Sequence, residues 1–212
     1  MIPADPPRDC TYCPRLVDYR ETVRRDHPDW FNGAVPSFGD EAAQLLILGL
    51  APGVTGAHRT GRPFTGDYAG DLLYATLTKF GFANGRFDAR PDDGLILSNA
   101  MVTNAVRCVP PQNKPIGAEI NACRPFMLAR LDALSNLRAV VCLGRIAHDT
   151  LIRGLGERLV AFPFAHQAQH EIGTLRIFDS YHCSRYNTNT RRLTPAMFEA
   201  VFADVVEFLK DA

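Results

Sequence analysis

Four short apolar runs rich in β-favouring residues punctuate the chain: Gln44–Leu50 (QLLILGL), Gly94–Ser98 (GLILS), Arg138–Leu143 (RAVVCL) and Thr174–Phe178 (TLRIF). After each comes a loop and then a helical period. Leu72, Leu73, Leu77 and Phe80 share a face between Tyr68 and Phe80, and Ile120, Cys123, Met127, Leu131 and Leu134 form a stripe between Ala118 and Leu137. Gly144–Leu155 reads as a shorter helix. Thr194-Pro195 sets a capping hydroxyl before a proline at the first helical position, and Met197, Val201, Val205 and Phe208 continue that helix's apolar face. Strand–helix alternation of this kind predicts an α/β fold, a three-layer α/β/α sandwich around a four-stranded parallel sheet. Such sheets bind ligands beyond the carboxyl ends of their strands. Residues 1–40 fall outside the repeat and read as an N-terminal arm, so the expectation is a single domain, 1–212, carrying that arm.

Composition narrows the class. With 46% hydrophobic and 22% charged residues in 212, the chain is neither disordered nor fibrous. The longest apolar run, Leu45–Ala51, contains Gly49 and stops at Pro52, far short of the roughly 18 residues that cross a bilayer. The opening MIPADPPRDC has no basic start followed by an apolar stretch, so a cytoplasmic protein without a membrane partner is expected. Lys and Arg number 23 and so do Asp and Glu, yet Ala42–Gly66, Gly94–Ala118 and Ser180–Phe198 contain no acid and seven basic residues. These windows begin at or within two residues of the first, second and fourth runs and continue through the loops after them. Brought together, they form a positive face suited to a polyanion.

Several side chains in or near these loops could carry chemistry. Cys10 and Cys13 form a CxxC before Pro14, and Cys108 and Cys123 are a wider pair; four cysteines suit an iron–sulfur cluster or structural zinc. Cys142, inside a strand, reads as a small buried hydrophobe, and Cys183 is ambiguous. The glycine-rich segment after the first strand matches neither GxGxxG nor GxxxxGK[ST], which argues against a dinucleotide or triphosphate. Within it, Phe64 is either core or a ring placed to stack on a base. Asn99 and Asn104 are turn residues, or amides whose donor and acceptor fit a base edge. His182 at a strand end, among arginines and hydroxyls, reads as functional rather than structural.

Together the stretches GLAPG…GAHRTGRPFTGDYAGDLL, VTNAVRC and DSYHCSRYNTNTRRLTP, with the four spaced cysteines, resemble the uracil-DNA glycosylase superfamily, in particular its iron–sulfur family 5 (type B) members. The resemblance implies excision of uracil and related deaminated bases from DNA, opening base excision repair. A cluster-containing DNA-binding or redox-sensing protein that excises nothing is the alternative. The resemblance further implies a [4Fe–4S] cluster on Cys10, Cys13, Cys108 and Cys123. Phe64 would stack on the flipped base, Asn104 would read its edge, Ala51 and Gly53 would lie beside it, and His182 would stabilise it as it departs. Arg59, Arg62, Arg185 and Arg191 are the expected phosphate partners of a protein acting as a monomer. Many superfamily members carry a carboxylate or amide just after the first strand to activate water, where this chain has Leu50-Ala51. Asp67, then His58 and Asp71, are the candidates for that task. Cys183 stands where relatives often have proline, so a different loop course beside His182 is expected.

Overall fold

The computed structural model describes residues 2–210. Its elements in chain order are α1 (Pro14–Asp26), β1 (Phe38–Gly39), β2 (Leu45–Gly49), α2 (Ala57–Thr60), α3 (Tyr68–Lys79), β3 (Ala83–Asn84), β4 (Ile96–Leu97), β5 (Ala100–Asn104), α4 (Gly117–Ala133), β6 (Ala139–Leu143), α5 (Arg145–Gly154), β7 (Gln169–Ile172), β8 (Leu175–Ser180), α6 (Arg185–Asn189) and α7 (Pro195–Lys210). The main sheet runs β1-β5-β2-β6-β8-β7. Its four central strands are parallel, as expected, and short antiparallel strands β1 and β7 close the two edges.

The period-two alternation of a strand divides the core between the two faces of the sheet. Leu45 and Ile47 of β2 point to one side, where Leu73 and Leu77 of α3 and Val201 and Val205 of α7 cover them. Leu46 and Leu48 point to the other, against Met127 and Leu131 of α4 and Leu151 and Ile152 of α5. That makes the three layers. The Thr194 hydroxyl accepts from Met197 N at 3.2 Å, which caps α7 as its sequence predicts.

One strand lies elsewhere than expected. Ile96 and Leu97, from the Gly94–Ser98 run, pair with Ala83 and Asn84 in a separate two-stranded ribbon, while the parallel strand of the main sheet is Ala100–Asn104. Asn99 makes the junction in the left-handed region, with φ 54°. Its side chain accepts from Gln44 N at 2.8 Å, and its backbone N–H donates to Asp40. Asn99 is therefore a turn residue, and the shift carries Asn104 to the carboxyl end of a central strand beside Gly49.

The N-terminal arm is tied to the core by charge. Asp5 accepts from Arg107 at 2.8 Å and from Arg130 at 2.5 Å, and both guanidinium groups are buried. Among the described residues no helix is long and apolar enough to cross a membrane.

Candidate active site

The loops after the parallel strands enclose a cavity of about 710 Å³, bounded by Ala51 and Gly53 after β2, Leu143 at the end of β6 and Gly144–Ile146 after it, and Tyr181, His182 and Ser184–Asn187 after β8. It narrows into a recess lined by Ala51, Gly53, Phe64, Asp67, Asn104 and His182, of which Ala51, Gly53, Asp67 and His182 also border the larger space. Six residues singled out from the sequence, carried on three different loops, thus meet at one point.

Gly49, the last residue of β2, makes the convergence possible. A Cβ there would lie 2.4 Å from Asn104 Oδ1 and 2.6 Å from Phe64 Cζ, so only a bare backbone lets the amide and the ring share this floor. Phe64 adopts φ 54°, a conformation costly for a bulky side chain. Its loop is over-determined: the Tyr74 hydroxyl donates to Pro63 O at 2.7 Å, and Gly70 packs so closely on the Phe64 carbonyl that a Cβ would sit 2.0 Å from it. Across the recess the His182 ring lies 6.0 Å from that of Phe64, inclined by 23°.

Two titratable groups face this space. Burial lowers His182 to about 4, so at neutral pH it is an uncharged imidazole with one N–H to give. Among the described residues its ring has no hydrogen-bond partner, which leaves that N–H for whatever enters. Asp67 caps α3 by accepting from Gly70 N at 3.2 Å through Oδ1, while Oδ2 lies over the backbone of Gly53 and Gly56. Its surface opens on the cavity, yet protein crowds it on most sides. That burial raises its carboxyl above the ordinary value despite backbone N–H bonds from Gly70 and Ala69.

A family model described as the uracil DNA glycosylase superfamily matches residues 36–206. The chain belongs to the uracil DNA glycosylase superfamily. It is 44% identical to a type-5 uracil-DNA glycosylase of Thermus thermophilus, over 92% of this chain and 91% of the relative. It is 42% identical to a type-5 uracil-DNA glycosylase of Mycobacterium leprae, over 92% and 89%, and 38% identical to one of Pyrobaculum aerophilum, over 88% and 83%.

Two water candidates of this glycosylase-family chain lie outside the site. His58 is fully buried with neither ring nitrogen partnered among the described residues, and burial beside Arg20 and Arg24 lowers it to about 4. It borders neither the cavity nor the recess, because α2 turns its side chain inward. Asp71 is exposed on α3 and borders neither space. Asp67 alone of the three reaches the recess.

Of the arginines, one needs correcting. Arg62 is buried, bound to Asp93 at 2.8 and 2.6 Å and caged by the rings of Phe38, Tyr74 and Phe87, so it cannot reach DNA. Arg59 opens on a separate cleft with Arg8, Trp30 and Arg90, and Arg191 is exposed but does not border the cavity. The cavity's own arginines are Arg145, Arg185 and Arg192. Each lies over an aromatic ring: Arg145 over Phe164 at 5.2 Å, Arg185 over Tyr68 at 5.9 Å and Arg192 over Tyr181 at 4.6 Å. Such stacking holds a guanidinium while its N–H groups stay free for phosphate. Arg145, Phe164 and the exposed Tyr186 at the rim escaped the sequence reading. A charged residue straight after the glycine that ends a strand was the available signal for Arg145.

Behind the site, Cys10, Cys13, Cys108 and Cys123 line one apolar pocket with Leu16 and Phe126. All are free thiols. Burial, then the neighbouring cysteines, push Cys13 up to about 11 and Cys108 up to about 12. The Arg107 N–H donates to Cys123 Sγ at 3.3 Å, and the Arg20 guanidinium lies 4.0 Å from Cys108 Sγ. Four unbonded sulfurs converging with donors behind them fit a thiolate-held metal centre. Cys142 is buried in β6 among apolar side chains, and Cys183 is buried with its thiol 3.5 Å from Ala69 O. From Ser184 the chain turns into α6, whose first turn that serine caps.

Proposed function

We propose that this chain hydrolyses the N-glycosidic bond of uracil in DNA. The observation that carries the reading is the single recess in which Phe64, Asn104, His182 and Asp67 meet beyond the ends of β2, β5 and β8. A glycosidic bond inside a duplex is inaccessible, so the nucleotide must be turned out into a pocket. Arg145, Arg185 and Arg192 on their aromatic supports suit the flanking phosphates, and Tyr186, 73% exposed beside them, suits the gap left in the stack. The Phe64 ring stacks on the extruded base. The Asn104 amide offers a donor and an acceptor to the base edge, which uracil meets with its O4 and N3–H.

Cleavage breaks the bond between C1′ of the sugar and N1 of the base, and the electron pair leaves with the base. The negative charge gathers on a base oxygen, where the N–H of neutral His182 stabilises it. The sugar becomes oxocarbenium-like. Asp67, ionised, orients water toward C1′ and eases that positive charge; the water's oxygen forms the new bond and its proton passes to the carboxylate or to solvent. No covalent bond to the protein is needed. Cys10, Cys13, Cys108 and Cys123 would hold a [4Fe–4S] cluster, whose contribution is to fasten the arm to the core.

Labelled oligonucleotides carrying uracil, hypoxanthine, xanthine or a thymine mismatch, scored for abasic sites, test the reading. Abasic sites at uracil, formed about 10²–10³-fold more slowly by His182→Ala, are expected. A pure, iron-loaded protein that binds DNA and cuts none of them would instead be a DNA-binding protein without excision.

A further inference from the structure

A buried triad lies outside the recess, and the mechanism above does not use it. Asp179 of β8 is fully buried and accepts from His148 Nδ1 at 2.8 Å and from His170 Nε2 of β7 at 3.2 Å. The second nitrogen of His148, Nε2, donates to the carbonyl of Phe162 at 2.8 Å. Both partners of the His148 ring are acceptors, so both contacts are made together only when the ring carries both protons.

What the ring grips is informative. Residues 155–168 join α5 to β7 without regular structure, and Phe164 sits midway between two tethers. Upstream is the His148–Phe162 bond. Downstream, His166 Nδ1 accepts from Tyr181 N at 3.2 Å, and Gln167 N donates to Asp179 O at 2.7 Å. Phe164 borders the cavity, its ring lies edge-on to His148 at 5.5 Å, and it carries Arg145.

We infer that His148 and Asp179 are positioning residues for the excision site: the imidazolium clamps the Phe162 carbonyl and thereby sets Phe164, with Arg145 on it, at the rim where DNA enters. This rests on the glycosylase reading of the cavity. The clamp is proton-dependent. The charged and titratable groups facing His148 are Asp179 from β8, His170 from β7, Cys142 from β6 beside Asp179, and its own neighbour Asp149. Cys142 stays a neutral thiol because burial raises it well above its ordinary value. The hydrogen bonds to Asp179 and Phe162 outweigh burial and raise His148 above its ordinary value. The clamp is therefore complete below the ordinary histidine range and is lost as pH climbs through the raised value. At that point the remaining proton stays on Nδ1 against the Asp179 carboxylate, and a bare Nε2 faces the Phe162 carbonyl.

Asp179→Asn separates the charge from the geometry. The asparagine amide can donate to a neutral His148 Nδ1 while its oxygen accepts from His170, so the Phe162 bond survives without a labile proton. The experiment measures affinity for a duplex bearing a non-hydrolysable uracil analogue at pH 6.5 and 9, together with hydrogen exchange of residues 162–168. Parental affinity should fall about tenfold at the higher pH, the low end of what one hydrogen bond to a charged group contributes. Asp179→Asn and Phe164→Ala should each flatten that dependence. His148→Ala should expose the 162–168 amides while the central strands stay protected, and adding Phe164→Ala should weaken binding no further. Equal pH dependence in Asp179→Asn, or additive losses in the double variant, would overturn the inference. If His148→Ala does not fold, Asp179→Asn and the parental profile decide. Because exchange and affinity need no turnover, failure of the clamp is distinguishable from absence of uracil excision by the parent protein.

Discussion

Gly49→Ala isolates the floor of the recess with a single methyl. The added carbon would meet Asn104 Oδ1 at 2.4 Å and Phe64 Cζ and Cε2 at 2.6 and 2.7 Å, where relaxed contacts lie near 3.5–4.0 Å. Something must move by about 1 Å. Asn104 is held by its register with Gly49 in the sheet, and Phe64 by a strained backbone braced through Pro63 and Gly70, so neither yields freely. Overpacking of this kind costs about 1–3 kcal/mol, and each kcal/mol lowers Tm by roughly 2–4 °C in a chain of this size. The larger effect falls on chemistry, since a reacting group misplaced by about 1 Å can cost about 10²-fold in rate. Single-turnover excision from a uracil duplex reads the second effect, and affinity for an abasic duplex reports whether the rim arginines still dock. The expected result is a folded protein that binds DNA and excises uracil about 10²-fold more slowly. Gly53→Ala makes the comparison, because its Cβ would find only Asp67 Oδ2 at an ordinary 3.5 Å. If Gly49→Ala excises uracil at the parental rate, the ring and the amide do not form the floor assigned to them.

On the proposed mechanism Asp67 acts ionised, and its carboxyl is raised by burial, so excision should fall as pH drops through that raised value; Asp67→Asn should be slow throughout and lack this acid limb in a single-turnover pH profile. His182 stays neutral down to about 4, so its contribution should be flat between pH 6 and 8, and His182→Ala should cost about 10²–10³-fold in rate with DNA affinity largely kept. Arg145→Ala and Arg192→Ala should each flatten the slope of log K against log salt by about 0.9, whereas Arg62→Ala should leave the slope alone and cost about 3–5 kcal/mol in denaturant melts by stranding buried Asp93. Cys108→Ser should lose visible absorbance and iron while Cys142→Ser keeps both; a coloured Cys108→Ser would remove that cysteine from the ligand set.

What could be read from the chain and what could not divides along a physical line. The helices from Tyr68 and from Pro195, and the β2 and β6 strands, follow from periodicity and capping within a dozen residues, and the structure places them there within a residue or two at their starts. The second parallel strand did not follow, because Ala100–Asn104 is buried on both faces and carries alanine, threonine and asparagine. Gly94–Ser98 shows the stronger local β signal but finds only a two-residue partner. Counting charge along the chain failed for the same reason. Arg62 and Arg107 looked free because their acids, Asp93 and Asp5, stand 31 and 102 residues away. Both pairs are internal ties of the fold. Phe64, Asp67 and His182 were legible because each sits in a loop segment that follows a parallel strand, and Asn104 because it closes one. Arg145 and Phe164 were not, since their place at the rim depends on a ring from one loop meeting a guanidinium from another. A local pattern can thus say which groups are presented at the strand ends, while what holds those groups still, from Gly49 under the ring to Asp179 behind His148, is written in contacts between distant segments. A single methyl added at Gly49 should therefore disturb excision on the same scale, about 10²-fold, as removing a polar group proposed to touch the base.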